Sequence, residues 1–295
     1  RLVADKVTGL DRASSRVLLG SGETLGFDLL SLNIGSTVHA PSGLAAGQGA
    51  KPIAALADLR QRLLAARGPV RVTVLGGGAT GCELAGNLLY LGRAAGRQIA
   101  VTLVSQSPTL VPSVPVGVQA AALDSLTRRG ALVHLGQSVA SSAAGVLRLS
   151  SGAAVRHDHL VLATGLAAAP AIFGLGLAAR PEGLRVTQTL QSIDDPRIFA
   201  AGDCAAIEGY DLPKLGVYGV RAAPVLVRNL LAMLAGTPLE TYTPQKHALS
   251  ILDLADGRGL AMRGGFWFGG RGALGLKHFL DQRFIDRYQA LYAGR

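Results

Sequence analysis

Arg71–Ala85 reads RVTVLGGGATGCELA, and this stretch decides the fold. Val72, Thr73, Val74 and Leu75 are β-branched or apolar and predict a buried strand. Gly76, Gly78 and Gly81 then satisfy G-x-G-x-x-G at a strand-to-helix junction, where the dinucleotide fingerprint has to lie. Gly76 permits the tight turn, Gly78 lets a pyrophosphate approach the backbone, and Gly81 lets the helix pack closely on the strand. Ala79 and Thr80 open the helix, whose unpaired N–H groups and positive dipole end suit phosphate. In a chain with 39 glycines, a βα turn that serves packing alone is the alternative.

An acidic residue roughly 20 residues further on usually holds the adenosine ribose. The second strand is expected at Ile99–Val104 and runs into Ser105, Gln106 and Ser107. No Asp or Glu lies between Glu83 and Asp124, and no arginine follows the strand to receive a 2′-phosphate. Ser105 and Gln106 carry hydrogen-bonding groups for a ribose. The choice between NAD and NADP stays open, as does a site that has lost its nucleotide.

A chain of 295 residues accommodates two domains, and 49% apolar residues with 16% charged ones describe a globular, core-rich protein. The net charge of +10 is carried by arginines spread along the chain. A basic surface attracts anionic partners, but no nucleic-acid module is visible. Cys82 and Cys204 form no C-x-x-C pair, so neither a redox dithiol nor a zinc site is expected. No apolar run is long enough and uninterrupted enough to span a bilayer, and a cytoplasmic location is the default expectation.

In order, short strands at Arg1–Leu10, Arg16–Leu19 and Thr24–Ile34 form a β-meander ending in FDLLSLNIGS. A Gly/Ala/Pro-rich connection at Ala40–Gly49 and an amphipathic helix at Pro52–Arg67 follow. Strands at 70–75, 99–104 and 131–135, helices at 79–91 and 116–129, a second meander at 137–149 and a strand at His159–Ala163 predict a parallel sheet with helices on both faces. Beyond Gly165 come strand-like Gly183–Val186 and Thr187–Leu190, the segment IFAAGDCA, and an apolar helix within Leu212–Ala235. Its Arg221, Pro224 and Arg228 favour a core helix over a membrane span. The tail holds strand-like Ala248–Leu254 and Gly259–Phe268, then a basic helix at Leu274–Tyr292.

The ordered set NIGS, the glycine unit with Glu83, ATG at Ala163–Gly165 and IFAAGDCA resembles the FAD-dependent pyridine nucleotide-disulfide oxidoreductase superfamily over essentially the whole chain. Its details resemble the type II NADH dehydrogenase-like branch. KLGVYGVRAAPVLVRNL, TYTPQKHALSIL and LKHFLDQRFIDRY are most similar to the module fused to selenide, water dikinase. The resemblance implies an α/β fold of two Rossmann-type domains, with the NAD(P) domain inserted into the FAD domain. Residues 1–50 would be the middle of an FAD domain, 51–165 the NAD(P)-binding domain, 166–236 the C-terminal part of the FAD domain, and 237–295 a small α+β region.

The resemblance also implies cofactors, FAD and NAD(P)H, and places residues around them. Gly202 and Asp203 would hold the flavin ribityl chain, with an Asp that merely caps a turn as the alternative. Leu215, Gly216 and Val217 would aim helix N–H groups at the pyrimidine carbonyl, favouring charge on the reduced ring. Lys214 would add to that effect or be an exposed lysine. Thr164 and Gly165 would sit near the nicotinamide, and Glu83 near the reactive end or simply in the first helical turn.

The family's opening βαβ unit, with its own FAD-binding glycines, is not in this sequence, so the expectation is an incomplete FAD domain. His157 and His159 lack further ligands for a metal, and no hydrolase motif occurs. No residue is assigned as a catalytic acid, base or nucleophile.

The reading is a flavin-dependent NAD(P)H oxidoreductase passing electrons to a quinone or another small acceptor. The alternative is a non-catalytic Rossmann scaffold serving a fused or bound selenophosphate-synthesising partner. Phe266, Trp267, Phe268, Leu276, Phe279, Leu280, Phe284 and Tyr288, with nearby basic residues, leave two readings of 266–292: peripheral contact with the inner face of the membrane, or packing on the chain's own core.

Overall fold

The protein is described by a computed structural model covering residues 1–41, 43, 44 and 47–293, with side chains described to residue 289. Residues 42, 45 and 46 of the expected Ala40–Gly49 connection, and the side chain of Tyr292, lie outside the described residues.

The chain opens with strands β1 (Val7–Asp11), β2 (Arg16–Leu19), β3 (Thr24–Gly26), β4 (Leu30–Leu32) and β5 (Ser36–Val38). It continues through β6 (Gln48–Gly49), α1 (Ile53–Ala65), β7 (Val70–Leu75), α2 (Ala79–Ala94), β8 (Ile99–Val104), α3 (Val116–Arg128) and β9 (Leu132–His134). Next come β10 (Val139–Ala143), β11 (Val146–Leu149), β12 (Ala154–Arg156) and β13 (His159–Leu162). After these lie β14 (Leu166–Ala168), β15 (Ala179–Arg180), β16 (Gly183–Val186), β17 (Ile198–Ala200), β18 (Ala205–Ile207) and α4 (Gly216–Ala235). It closes with β19 (Ser250–Asp253), β20 (Gly259–Arg263), β21 (Phe266–Gly270) and α5 (Arg271–Ala293).

These elements form two compact units: residues 1–37 with 166–246, and residues 38–165 with 247–295. The second is built on a parallel sheet in the order β6-β13-β7-β8-β9. Alternation along its strands splits the apolar residues between two faces. Val72, Val74, Val101, Leu103 and Val161 share a core with Leu63 of α1, Cys82 and Leu88 of α2, and Val118 and Leu126 of α3. Leu75, Val104, Leu160 and Leu162 pack with Leu147, Leu149 and Val155 of the β10–β12 meander. The helices therefore lie on one face, and an antiparallel meander covers the other. This corrects the expectation of helices on both faces: with three strands inserted between β9 and β13, the second face is covered by a sheet instead.

The three-stranded antiparallel sheet β19-β20-β21 belongs to this unit as well. Leu252, Leu254, Leu260 and Met262 join the helix-side core, and Trp267 packs against it. Residues 237–295 thus divide between the two units at Lys246. The ring of Trp267 lies so close to α3 that a Cβ added at Gly117 would fall 2.2 Å from it.

In the first unit, β4 and β17 pair in parallel, and two three-stranded sheets, β1-β2-β3 and β15-β16-β18, accompany them. Leu32, Leu184, Ile198, Phe199 and Leu226 are among its buried residues. Thr187–Leu190, expected as a strand, is a turn with Leu190 at φ 68°. The apolar helix expected within Leu212–Ala235 begins at Gly216, because Leu215 is extended and precedes its first turn. Segment 259–268 is likewise broken by a turn after Arg263, and α5 begins at Arg271.

Candidate functional site

The glycine loop joins β7 to α2 as the sequence predicts, and its three glycines answer to different neighbours. Gly76 has φ 121°, and a Cβ there would fall 2.1 Å from the carbonyl oxygen of Ala163. A Cβ at Gly81 would lie 1.8 Å from the carbonyl oxygen of Gly76. Both positions are closed by backbone, which no side-chain rearrangement relieves. Gly78 differs: its φ is an ordinary −74°, and an added Cβ would meet nothing within 4 Å. Packing does not require glycine there, so the space beside it is free for a ligand that approaches the backbone. Gly78 makes no side-chain cap bond to α2, whose start offers N–H groups and the positive end of the helix dipole to an anion. These residues fit the pyrophosphate of a dinucleotide.

Ala163 and Thr164 run beside the loop, with the Thr164 hydroxyl donating to the carbonyl of His39. Gly165 has φ 102°, and its carbonyl accepts the His39 N–H at 3.0 Å. Ser105 is placed differently from the expectation. It is 3% exposed, and its hydroxyl accepts the N–H of Ser107 at 3.2 Å. A Cβ on Gly77 would fall 2.4 Å from Ser105 Oγ, so this side chain is wedged between its own loop and the glycine loop. Gln106 is the exposed residue at the strand end.

Glu83, one residue past the first turn of α2 where the sequence expected it, accepts the backbone N–H of Asp253 through Oε1 at 3.0 Å. Burial raises its carboxyl above the ordinary range, with the Asp253 hydrogen bond and Lys277 opposing. The structure therefore brings Glu83 to the C-terminal sheet, a contact no sequence signal announced. Burial likewise pushes the Cys82 thiol up to about 12, keeping it protonated and inert.

In the other unit, Gly202 adopts φ 73° and packs under the first turn of α4: a Cβ on Gly219 would fall 3.1 Å from Gly202 Cα. Asp203 Oδ2 accepts the Ser36 hydroxyl at 2.7 Å, joining IFAAGDCA to NIGS. Ser36 was legible only as part of that motif. Lys214 is not an exposed lysine; its ammonium donates to the carbonyls of Asp203, at 2.6 Å, and of Glu182. Leu215 precedes α4 without a capping side chain, and a small cavity of about 30 Å³ beside this helix start is lined by Gly202, Asp203 and Leu215 but not by Gly216 or Val217. A carboxylate held by a hydroxyl beside an uncapped helix start fits the ribityl and pyrimidine end of a flavin.

Asp158, between the two histidines considered as metal ligands, is engaged by Arg71. It accepts the Arg71 backbone N–H and guanidinium, both at 2.7 Å, and these bonds hold its carboxyl down at about 2. Among the described residues no group of three or more His, Cys, Asp or Glu could hold a metal ion.

Residues 1–225 match the family described as pyridine nucleotide-disulphide oxidoreductase. The chain belongs to this family. Within it, the chain is 30% identical over 188 residues to the type II NADH:quinone oxidoreductase of Haemophilus influenzae, covering 59% of this chain and 42% of that protein. It is 27% identical over 279 residues to ferroptosis suppressor protein 1 of Taeniopygia guttata, covering 90% and 72%. A crystal structure of a ferredoxin reductase from Rhodopseudomonas palustris superposes with a TM-score of 0.73 over 88% of this chain and 64% of that one, at 24% identity. The chain thus spans less than half the length of the Haemophilus enzyme, and the fold is that of FAD/NAD(P)-binding reductases.

Proposed function

We propose that this chain carries the nucleotide-binding part and half of the flavin-binding part of an FAD-dependent NAD(P)H oxidoreductase that passes electrons to a quinone or another small acceptor. The open space at Gly78, where packing requires no glycine, carries the reading. Gly76, Gly78, Gly81 and the start of α2 would hold the NAD(P)H pyrophosphate. Asp203, Ser36 and the start of α4 would hold the flavin. FAD, when bound, supplies the hydride-accepting and electron-passing chemistry, and the protein supplies orientation and electrostatics. The helix start at Gly216 favours negative charge at its end, which suits a reduced flavin.

A further βαβ element would complete the flavin half. Two features support it. Among the described residues β4 pairs only with β17, leaving its other edge open. Val220, Val227, Leu231 and Leu234 line an exposed stripe on α4, opposite the face that buries Ala222, Leu226 and Asn229. A helix apolar on both sides is a helix with two neighbours. α4 is long and apolar enough to cross a membrane by length and composition, but it buries one face in its unit and carries Arg221 and Arg228.

The exposed end of α5 would rest on the inner face of the membrane: residues 278–289 are all exposed, including Phe279, Phe284 and Tyr288. The resemblance to the module joined to selenide, water dikinase supports instead a selenophosphate-synthesising partner for a non-catalytic scaffold.

The test is flavin content. The protein extended by the βαβ element should purify yellow and lose its visible flavin absorbance on anaerobic addition of NADH, while the present chain should be colourless. Flavin that NADH leaves oxidised would contradict the oxidoreductase reading.

A further inference from the structure

We infer that the ribose end of the dinucleotide site is neutral and takes NADH and NADPH with nearly equal affinity. This rests on the dinucleotide reading above and specifies which nucleotides the site accepts.

Discrimination at the ribose 2′ position is a matter of charge. A carboxylate at the end of the second strand accepts from the free hydroxyl and repels a 2′-phosphate; a guanidinium nearby does the reverse. This chain has neither. No Asp, Glu, Lys or Arg occurs from Gln98 to Leu123, which spans β8 and the whole loop beyond it.

The structure shows what stands there instead. Ser105, the first residue after β8, lies against Gly77 in the middle of the glycine loop, one residue from the open cradle at Gly78. Its hydroxyl accepts the Ser107 N–H, and at 3% exposure it offers little to a ligand. The loop is tied in place on its other side: Gln137 donates its N–H to the carbonyl of Ser105 at 2.9 Å, and Gly136 donates to that of Ser107 at 2.9 Å. Gln137's side-chain oxygen accepts from Ser150 and Ser151 in turn. The exposed side chain left at the strand end is Gln106, an amide that hydrogen-bonds a hydroxyl or a phosphate without charge preference. With no charged side chain from Gln98 to Leu123, this segment gives neither nucleotide an electrostatic advantage.

The experiment is calorimetric titration of this chain with NADH and with NADPH at low ionic strength. The two dissociation constants should agree within about threefold. Gln106→Glu places a carboxylate on the rim and should weaken NADPH at least ~10-fold while leaving NADH within about threefold. Gln106→Arg should shift the ratio the other way. Ser105→Asp tests the buried position, and because it crowds Gly77 it is read only beside its melting temperature. A wild-type preference of ~10-fold or more for either nucleotide overturns the inference while leaving the dinucleotide site standing, as does an unchanged ratio in both Gln106 variants. Binding of neither nucleotide overturns the inference together with the reading beneath it.

Discussion

The carboxylate of Glu83 accepts the backbone N–H of Asp253 at 3.0 Å, joining the N-terminal half of the nucleotide helix to the C-terminal sheet. Gly86, one turn further along α2, approaches the same segment so closely that an added Cβ would fall 2.2 Å from the Leu254 carbonyl oxygen. Arg129 ties the two together, its guanidinium donating to the carbonyls of Gly86 and Leu254, both at 2.6 Å. The tail is thus built into the nucleotide-binding unit.

Glu83 gives this joint a pH signature. Its folded carboxyl is raised by burial above the ordinary 4.5, so over the interval between the two values the folded state holds a proton that the unfolded chain has lost. Stability contributed by this group falls as pH climbs through that interval. Glu83→Gln keeps an acceptor for the Asp253 N–H and discards the charge. It should melt with the wild type at low pH and above it at pH 8. Glu83→Ala, which strands a backbone donor, should cost about 1–3 kcal/mol at either pH. A Gln variant that melts below the wild type at pH 8 would show that Lys277 makes the ionised form the stable one.

Trp267 should matter more for folding than its exposed neighbours. Phe266 and Phe268 are 73% and 41% exposed, whereas Trp267 lies against Gly117 and the helix-side core. Trp267→Ala should cost about 3 kcal/mol, and Phe266→Ala within about 0.5 kcal/mol, by chemical denaturation. Equal costs would mean that the sheet does not anchor through this ring.

Gly81→Ala should destabilise the protein strongly, on the order of 3 kcal/mol or more, because its new methyl meets the Gly76 carbonyl and neither backbone can yield alone. Denaturant titration reads this directly; a loss under about 0.5 kcal/mol would show the loop to be looser than its contacts state.

Much of this was legible beforehand, and the rest was not for physical reasons. The β7–glycine loop–α2 unit announces itself because β-branched residues, three spaced glycines and a helix start are local signals. The family motifs lead to Asp203 and the α4 start for the same reason. What the sequence does not display is the pairing of distant segments. Ser36 with Asp203, Glu83 with Asp253 and Trp267 with Gly117 are separated by more than a hundred residues, and no periodicity encodes them. Ser105 and Lys214 are of types that suit a ligand, and only the structure shows the Ser105 hydroxyl accepting the Ser107 N–H and the Lys214 ammonium donating to the Asp203 carbonyl. The helices on one face were equally hidden, since periodicity shows that a helix buries a stripe but not against which side of a sheet.

The exposed end of α5 can be tested on vesicles. Phe279, Phe284 and Ile285 are 59%, 44% and 46% exposed, and the Phe284 ring meets that of Tyr288 on the same helix at 4.7 Å between centroids. The wild type should co-sediment with anionic vesicles at low salt and release at high salt, and Phe279→Ser with Phe284→Ser should abolish binding without changing the fold. Absence of binding at low salt would remove the membrane proposal and leave the stripe to a protein partner.

The central claim is that the space beside Gly78 belongs to a dinucleotide. The most direct measurement is NADH binding by the wild type and by Gly78→Val, each with its melting temperature. Since an added Cβ at Gly78 meets no protein atom within 4 Å, the variant should fold about as stably as the wild type and lose nucleotide binding. A Gly78→Val protein that binds NADH as the wild type does would contradict the account and leave the loop a packing turn.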